Sequence, residues 1–98
     1  MRVNWTLQAL SRLQKLHDYI AKDQPLNAQR FTERLTERAA IISGNPHAWP
    51  RVPKYQRDGI RYVTEGEYRI VFLILTDRID ILAVRHTARL WPARLRDL

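Results

Sequence analysis

The sequence has no cysteine, and this absence excludes disulfides, thiolate metal sites and thiol nucleophiles. It has only three glycines, and all of them (Gly44, Gly59 and Gly66) stand at predicted turns rather than in a phosphate-binding loop. Its longest apolar run, residues 70–75, has six residues, whereas a membrane span needs about 18 or more. The N-terminal residues have no apolar stretch typical of a signal peptide. The sequence therefore predicts a cytoplasmic protein with no membrane association.

Histidine and serine are also scarce, and their positions argue against two common kinds of catalytic site. His17, His47 and His86 are far apart in the sequence, and no H-x-x-x-H motif or acidic pair joins them, so no metal site is expected. Ser11 and Ser43 are the only serines, and both lie within predicted helices, which argues against serine hydrolysis. No cofactor is expected.

The length of 98 residues is enough for one hydrophobic core and predicts a single domain over residues 1–98. With 45% hydrophobic and 28% charged residues, the composition is that of an ordinary globular protein. A chain of this size buries only about 60 to 70% of its unfolded surface, so nearly every apolar residue must face one shared core.

Two amphipathic helices are predicted in the first half of the chain. Thr6 is the predicted N-cap of the first helix, which should end near Lys22. Pro25 suits the first position of the second helix, and Gly44 with the Asn-Pro that follows ends it. The short connection between them predicts an antiparallel hairpin. The predicted buried faces are formed by Ala9, Leu13, Leu16 and Ile20 and by Ala28, Phe31, Leu35, Ala39 and Ile42.

The outer side of the second helix carries charges of both signs. Arg30 with Glu33 and Arg34 with Glu37 stand three residues apart, a spacing that favours ion pairs worth a few tenths of a kcal/mol each. The sequence therefore predicts that this side is a solvated face whose charges pair with each other.

The remaining elements are predicted strands. Arg2 to Trp5 alternates apolar and polar residues, and residues 60–63, 68–75 and 79–84 are rich in β-branched and aromatic side chains. Short turns join the last three, which predicts an antiparallel meander. The predicted fold is therefore an α+β domain in the order β-α-α-β-β-β, whose antiparallel twisted sheet carries the helical hairpin on one face. The other face should lie against the loop 45–59, the C-terminal tail or a partner.

The chain is strongly basic. Seventeen Lys and Arg against ten Asp and Glu give a net charge of +7, and fourteen of the seventeen are arginine. Arginine grips carboxylates and phosphates with a planar fork, so the surface suggests an acidic partner, although a GC-rich genome also enriches arginine. The excess positive charge is concentrated in two segments. Residues 51–61 have Arg51, Lys54, Arg57 and Arg61 against Asp58, and residues 85–98 have Arg85, Arg89, Arg94 and Arg96 against Asp97, a local +3 in each case.

Arg69 interrupts the otherwise apolar central strand. A guanidinium in such a position needs a fixed anion or a site that presents it outward. It could pair with Asp80 or Glu67 across the hairpin, or act as a phosphate or carboxylate clamp on the sheet face that the helices leave uncovered. His86, just past the last strand, could transfer protons near neutral pH or act as a cap. The candidate site residues are Arg61, Arg69, Arg85, His86 and Arg89, with Arg51, Lys54 and Arg57 in a basic loop before them.

An ordered set of motifs resembles the ParE/RelE superfamily, the toxins of bacterial type II toxin–antitoxin (plasmid-stabilisation-like) modules. The motifs are Trp5-x3-Ala9-x3-Leu13-x2-Leu16-x2-Tyr19-Ile20, Ala28-x2-Phe31, Asn45-Pro46, Tyr68-Arg69-Ile70-Val71-Phe72, Ile81-Leu82-Ala83-Val84 and His86-x2-Arg89-x-Trp91-Pro92. The resemblance extends over nearly the whole chain. It implies the same β-α-α-β-β-β order and an acidic antitoxin, often encoded beside the toxin, that wraps it in a hetero-oligomer.

Two activities occur in this superfamily. Resemblance to RelE-like members implies ribosome-dependent mRNA cleavage, with Arg61, Arg69 and His86 as the catalytic residues, but no tyrosine follows Tyr68 as it does in many such nucleases. Resemblance to ParE-like members implies poisoning of DNA gyrase by binding.

The chain ending favours the ParE-like branch, because residues 86–92 (His-Thr-Ala-Arg-Leu-Trp-Pro) are closer to it, and Trp91 joins the target-binding candidates. The segments 47–51 and 59–62 depart from the usual pattern, so the contacts with the target are expected to differ. A plain basic nucleic-acid-binding module remains a further alternative, although no recognition helix is evident.

Overall fold

The computed structural model describes all residues 1–98 and contains six main elements. They are β1 (Arg2–Trp5), α1 (Leu7–Ala21), α2 (Pro25–Ile42), β2 (Ile60–Glu65), β3 (Tyr68–Ile74) and β4 (Arg78–His86). Short 3-10 helices lie at Pro46–Ala48 and Leu95–Asp97. The predicted α+β class and the order β-α-α-β-β-β are confirmed. No helix combines the length and apolarity that a membrane crossing requires.

The two helices form as the sequence predicts. The Thr6 hydroxyl accepts a hydrogen bond from the Ala9 amide at 3.2 Å and so caps α1. Pro25 is the first residue of α2, where its missing N–H leaves no bond unmade. The predicted apolar faces of both helices pack against one side of the sheet.

The predicted ion pairs along α2 are wrong. No carboxylate oxygen lies within 4.0 Å of Arg30 or Arg34. Glu33 instead accepts a hydrogen bond from Gln29 Nε2 at 3.2 Å. The reason is that an exposed pair gains little Coulomb energy in water and must order two long side chains to form. Both arginines therefore remain available for other contacts.

The sheet has the order β1-β4-β3-β2, with β3 and β4 in its centre. β2, β3 and β4 form the predicted antiparallel meander, and Gly66, at φ 60°, makes the tight turn between β2 and β3. β1, however, lies parallel to β4, so the sheet is mixed rather than wholly antiparallel. Alternation within a strand fixes which side chains are buried but not which strand is its neighbour.

A β-bulge interrupts the pairing of the two central strands. Val71 pairs with Ala83 and Phe72 pairs with Ile81, which leaves Leu82 as the extra residue of β4. As a result, Ile81 faces the helices, whereas Leu82 and Ala83 both face the other side of the sheet. From Ala83 onward, the side chains of β4 therefore face the opposite side from the one that uninterrupted alternation would give.

Apolar clusters cover both faces of the sheet. The cluster under the helices contains Ala9, Leu13, Phe31, Leu35, Ala39, Ile42, Val63, Ile70, Phe72, Ile79, Ile81 and Val84. The cluster on the second face contains Val52, Tyr55, Ile60, Val71, Ala83 and Leu98. The loop after α2 and the C-terminal tail thus cover the second face. Both are among the covers that the sequence predicts, with a partner as the third possibility.

Candidate target-binding site

Arg69 lies on the second face of the sheet, between two aromatic rings. Its guanidinium carbon is 5.3 Å from the centre of the Tyr62 ring and 4.9 Å from the centre of the Trp91 ring. Such cation–π contacts stabilise a guanidinium by about 0.5 to 2 kcal/mol, depending on its desolvation. The Arg69 Nε is buried and has no hydrogen-bond partner. The side chain is therefore fixed in place while part of its donor capacity is unused.

Arg69 has no carboxylate partner, so the pairing with Asp80 or Glu67 that the sequence allowed does not form. Asp80 instead accepts hydrogen bonds from Arg78 Nε, at 2.9 Å, and from Asn4 Nδ2, at 3.0 Å. Glu67 lies 3.7 Å from a ring nitrogen of His86. The positive charge of Arg69 is thus not neutralised within the chain.

Arg85 stands directly opposite Arg69 in the sheet register and faces the same side. It is the only buried charged residue, with 4% of its surface exposed. Its guanidinium donates hydrogen bonds to the Leu90 carbonyl at 3.0 Å and the Leu98 carbonyl at 3.5 Å. Burial, together with the nearby charges of Arg89 and Arg12, lowers the pKa of Arg85. Two neighbouring guanidiniums therefore share one face without an Asp or Glu side chain as a partner.

The tail segment, residues 90–98, is held by hydrogen bonds from distant parts of the chain. Tyr55 Oη donates to the Pro92 carbonyl at 2.8 Å, and Arg12 Nη2 donates to the Leu98 carbonyl at 3.0 Å. Burial raises the pKa of the Tyr55 hydroxyl, which keeps it protonated and able to donate. The tail thus has a defined path across the second face, although most of it lacks regular secondary structure.

The Arg61 side chain is held by hydrogen bonds within the protein. It lies on the helix side of β2, where Nη1 donates to the carbonyls of His47, at 3.1 Å, and Trp49, at 2.7 Å. Its Nε donates to the Asp58 carbonyl and its Nη2 to the Asp58 carboxylate, both at 3.1 Å. With its donors engaged in this way, Arg61 fastens the loop after α2 to the sheet.

His86 is the last residue of β4 and faces the helix side of the sheet. Its ring lies 5.3 Å from the Tyr68 ring, and its Nδ1 accepts a hydrogen bond from the Ala88 amide at 3.0 Å. Its Nε2 is 3.7 Å from a Glu67 carboxylate oxygen. These contacts stabilise the turn that leads into the tail, which is the capping role the sequence left open.

The three residues of the predicted nuclease site are not brought together. Arg69 lies on one face of the sheet, whereas Arg61 and His86 lie on the other. Arg61 and His86 are also separated by four residues along the strand direction, roughly 13 Å. No single phosphate could contact all three side chains.

The basic loop lies beside the Arg69 site. Residues 50–52 pair with the outer edge of β2, where the Tyr62 amide donates to the Pro50 carbonyl at 3.1 Å. Arg51, Lys54 and Arg57 are exposed, and so is Arg89 at the start of the tail. Arg51 is 3.5 Å from the Asp58 carboxylate, and the other three have no carboxylate within 4.0 Å. The loop, Arg69, Trp91 and Arg89 form what we call the arginine–aromatic surface.

Sequence reasoning missed three residues that shape this surface, namely Tyr62, Tyr55 and Arg12. Tyr62 could have been found from the strand pairing. It stands two residues from Thr64, the register partner of Arg69, and so is a diagonal neighbour of Arg69 on the same face of the sheet. Tyr55 and Arg12 carry no such signal, since each contacts the tail across a long sequence separation.

The site as a whole is a basic surface that includes aromatic side chains. No group of three or more His, Asp and Glu side chains is placed to hold a metal ion. The molecule is a small basic α+β protein with a helical hairpin on one face and an arginine–aromatic surface on the other. The element order is the one that the resemblance to type II toxin–antitoxin toxins implied, and comparisons with known proteins agree with that class.

The family model for "ParE toxin of type II toxin-antitoxin system, parDE" matches residues 3–91. Y4kP of Sinorhizobium fredii (strain NBRC 101917 / NGR234) is 32% identical over 91 residues, which cover 93% of both chains. Toxin RelE2 of Caulobacter vibrioides (strain ATCC 19089 / CIP 103742 / CB 15) is 32% identical over 89 residues, or 91% of this chain and 98% of the relative. The chain belongs to the ParE toxin family and is the toxin of a type II toxin–antitoxin system.

Two solved structures share the fold. A chain of the chromosomal ParDE TA system from P. aeruginosa superposes with a TM-score of 0.74 at 19% identity, over 88% of this chain and 95% of that one. The YoeB dimer from Staphylococcus aureus gives a TM-score of 0.60 at 13% identity, with the same coverage. At these identities the likeness concerns the fold alone.

Proposed function

We propose that this toxin inhibits growth by binding DNA gyrase and poisoning it, and that a cognate acidic antitoxin neutralises it. The toxin contacts its target through the arginine–aromatic surface. Arg89 and the basic loop supply the exposed contacts, and Arg69 and Trp91 supply half-buried ones, while Arg85 holds the tail beneath them.

The observation that carries this proposal is the separation of Arg61, Arg69 and His86. RNA cleavage by the 2′-hydroxyl requires a cation and an acid–base group within about 3 Å of the same reacting atoms. Arg61 and His86 lie on the opposite face of the sheet from Arg69, and both are engaged in structural contacts. A binding mechanism needs no such convergence, so the geometry favours it.

The composition of the surface supports a protein target. Aromatic residues and arginine are the side chains most often found at the energetic centre of protein–protein interfaces. Arg69 is held between Tyr62 and Trp91, so little side-chain entropy remains to be lost on binding. A fixed and unneutralised guanidinium of this kind is suited to a carboxylate on the target.

The proposal is tested with purified gyrase, relaxed plasmid and increasing amounts of the toxin. We expect supercoiling to be inhibited, and we expect Arg69→Ala and Trp91→Ala each to raise the concentration for half inhibition about tenfold or more. Such a change corresponds to about 1.4 kcal/mol, which is within the usual range for an interface centre.

Lys15→Ala is the matched control, because Lys15 is an exposed cation on α1 with no hydrogen bond or ion pair. It should inhibit gyrase as well as the wild type does. Full supercoiling activity in a large excess of wild-type toxin would contradict the proposal.

The alternative is a ribosome-dependent mRNA endoribonuclease. One observation favours it, namely that Arg69 and Arg85 are adjacent and neither is paired with an Asp or Glu side chain, as in a phosphate-binding pair. The test is a translation extract in which message length is followed after addition of the toxin. Cleavage that His86→Ala abolishes would establish the nuclease, whereas intact message would exclude it.

A further inference from the structure

A groove lies on the helix side of the molecule, well away from the arginine–aromatic surface. It has a volume of about 570 Å³ and lies between α2 and the turn that joins β2 to β3. Arg30 and Arg34 line one wall, Glu67 lies opposite, and Phe31 and Tyr68 contribute the aromatic surface. Its volume is within the range of known ligand-binding clefts, about 300 to 1,000 Å³.

The groove has unbalanced positive charge. Arg30 and Arg34 are exposed and one helical turn apart, so their side chains project side by side. Neither has a carboxylate within 4.0 Å, and neither makes a side-chain hydrogen bond. Glu67, the one acid of the groove, lies 3.7 Å from His86 Nε2 instead. An anionic oxygen between the two arginines would therefore meet no competing partner.

The aromatic surface is suited to an apolar side chain. The Phe31 and Tyr68 rings meet edge to face, with 5.0 Å between their centres and a 70° angle between their planes. Phe31 is only 5% exposed, so Tyr68 provides most of the accessible ring. A nucleobase needs an open, flat ring face on which to stack, and the edge-to-face contact leaves less such surface than two free rings would offer.

We infer that this groove binds an acidic segment of a partner protein. One carboxylate of the segment lies between Arg30 and Arg34, and an apolar side chain next to it packs on Tyr68. The inference rests on the proposed function only in naming this partner as the antitoxin.

Charge complementarity selects this groove over the other large one on the helical hairpin. That second groove, of about 710 Å³, lies between the outer faces of α1 and α2 and has Leu10, Leu13, His17 and Glu33 among its lining residues. No arginine or lysine lines it. It therefore has no group of fixed positive charge to bind an acidic residue.

The experiment is an NMR titration of the full-length, ¹⁵N-labelled protein at physiological salt. The probe is a blocked octapeptide of alternating glutamate and leucine. We expect the Nε–Hε resonances of Arg30 and Arg34 and the backbone amides of residues 66–68 to shift together. The variant R30E/R34E should weaken the Kd at least about tenfold, which is about 1.4 kcal/mol of lost interaction. R30Q/R34Q, which adds no repulsion, should weaken it in the same direction.

The matched control is R94E/R96E, which changes the net charge by the same amount on the opposite side of the sheet. It should change the Kd less than about twofold. If both double variants weakened binding equally, the binding would depend on net charge alone, and this result would overturn the inference. Undiminished binding of a glutamine-for-glutamate peptide would also overturn it. Tighter binding of adenosine 5′-monophosphate at the same resonances would make the occupant a nucleotide and overturn it as well.

The outcome is independent of the gyrase proposal, because the titration contains no gyrase. R30E/R34E is expected to inhibit supercoiling like the wild type, since the groove lies on the other side of the sheet. If the wild type inhibited gyrase but R30E/R34E and R94E/R96E weakened peptide binding equally, only this inference would be overturned.

Discussion

Arg69 and Arg85 face each other across two central strands, an arrangement that ordinarily destabilises a sheet because like charges repel. Here aromatic rings stabilise one guanidinium, and backbone carbonyls stabilise the other. Neither guanidinium lies within 4.0 Å of an Asp or Glu carboxylate, so no acidic side chain offsets the positive potential of this face. At the scale of single residues, the chain keeps these two arginines in place without the side chain of an Asp or Glu.

Tyr55 shows how one hydroxyl can hold the tail. Tyr55→Phe removes the hydrogen bond to the Pro92 carbonyl but keeps the buried ring. We expect the free energy of unfolding to fall by about 1 kcal/mol, the usual net contribution of one hydrogen bond, as measured by urea unfolding. Tyr19→Phe is the control, because Tyr19 is 73% exposed and its hydroxyl makes no hydrogen bond, and it should leave stability unchanged. A Tyr55→Phe variant as stable as the wild type would show that the tail does not depend on this bond.

At the scale of elements, Asp80 joins the parallel strands β1 and β4. Burial alone would raise its pKa, but hydrogen bonds from Arg78 and Asn4 outweigh burial and hold the pKa below its usual value of 3.8. The folded state therefore binds a proton to Asp80 less readily than the unfolded state does. The resulting stabilisation is present above about pH 4 and is lost as the pH falls through the lowered pKa.

Asp80→Asn tests this linkage. The variant should be less stable than the wild type at pH 7, and it should lose less of its free energy of unfolding between pH 5 and pH 2. Urea unfolding at several pH values measures both effects. Asp23→Asn is the control, because no cation lies within 4.0 Å of Asp23, and its acid dependence should follow the wild type. Identical acid slopes for wild type and Asp80→Asn would contradict the assignment.

The helices and the meander could be predicted from the sequence because their signals are local. The Thr6 cap, the proline at the start of α2 and the apolar periodicity all act within a few residues. The parallel position of β1 could not be predicted, because it depends on a partner more than 70 residues away. The side on which each arginine lies depends on exact strand register, which the composition of a strand does not fix.

At the scale of the whole molecule, Leu98 joins the two ends of the chain. Its side chain is 2% exposed in the second cluster, and its carbonyl accepts hydrogen bonds from Arg12 and Arg85. Leu98→Ala keeps the carbonyl but removes buried apolar volume, so we expect a loss of about 2 to 5 kcal/mol in the free energy of unfolding.

The measurement is urea unfolding combined with limited proteolysis of the tail. Leu90→Ala is the matched control, because Leu90 is 89% exposed, and it should be close to the wild type in both assays. If both leucine variants were equally stable, the second cluster would not depend on its last member.

The parallel pairing of β1 with β4 has a consequence for how the toxin is made. β1 is synthesised more than 70 residues before the strand that it pairs with. Contacts of such long sequence separation form only after the intervening chain has been released. A growing chain therefore cannot complete its sheet or position Arg85 until β4 has left the ribosome, so the arginine–aromatic surface cannot form on a chain that stops before β4.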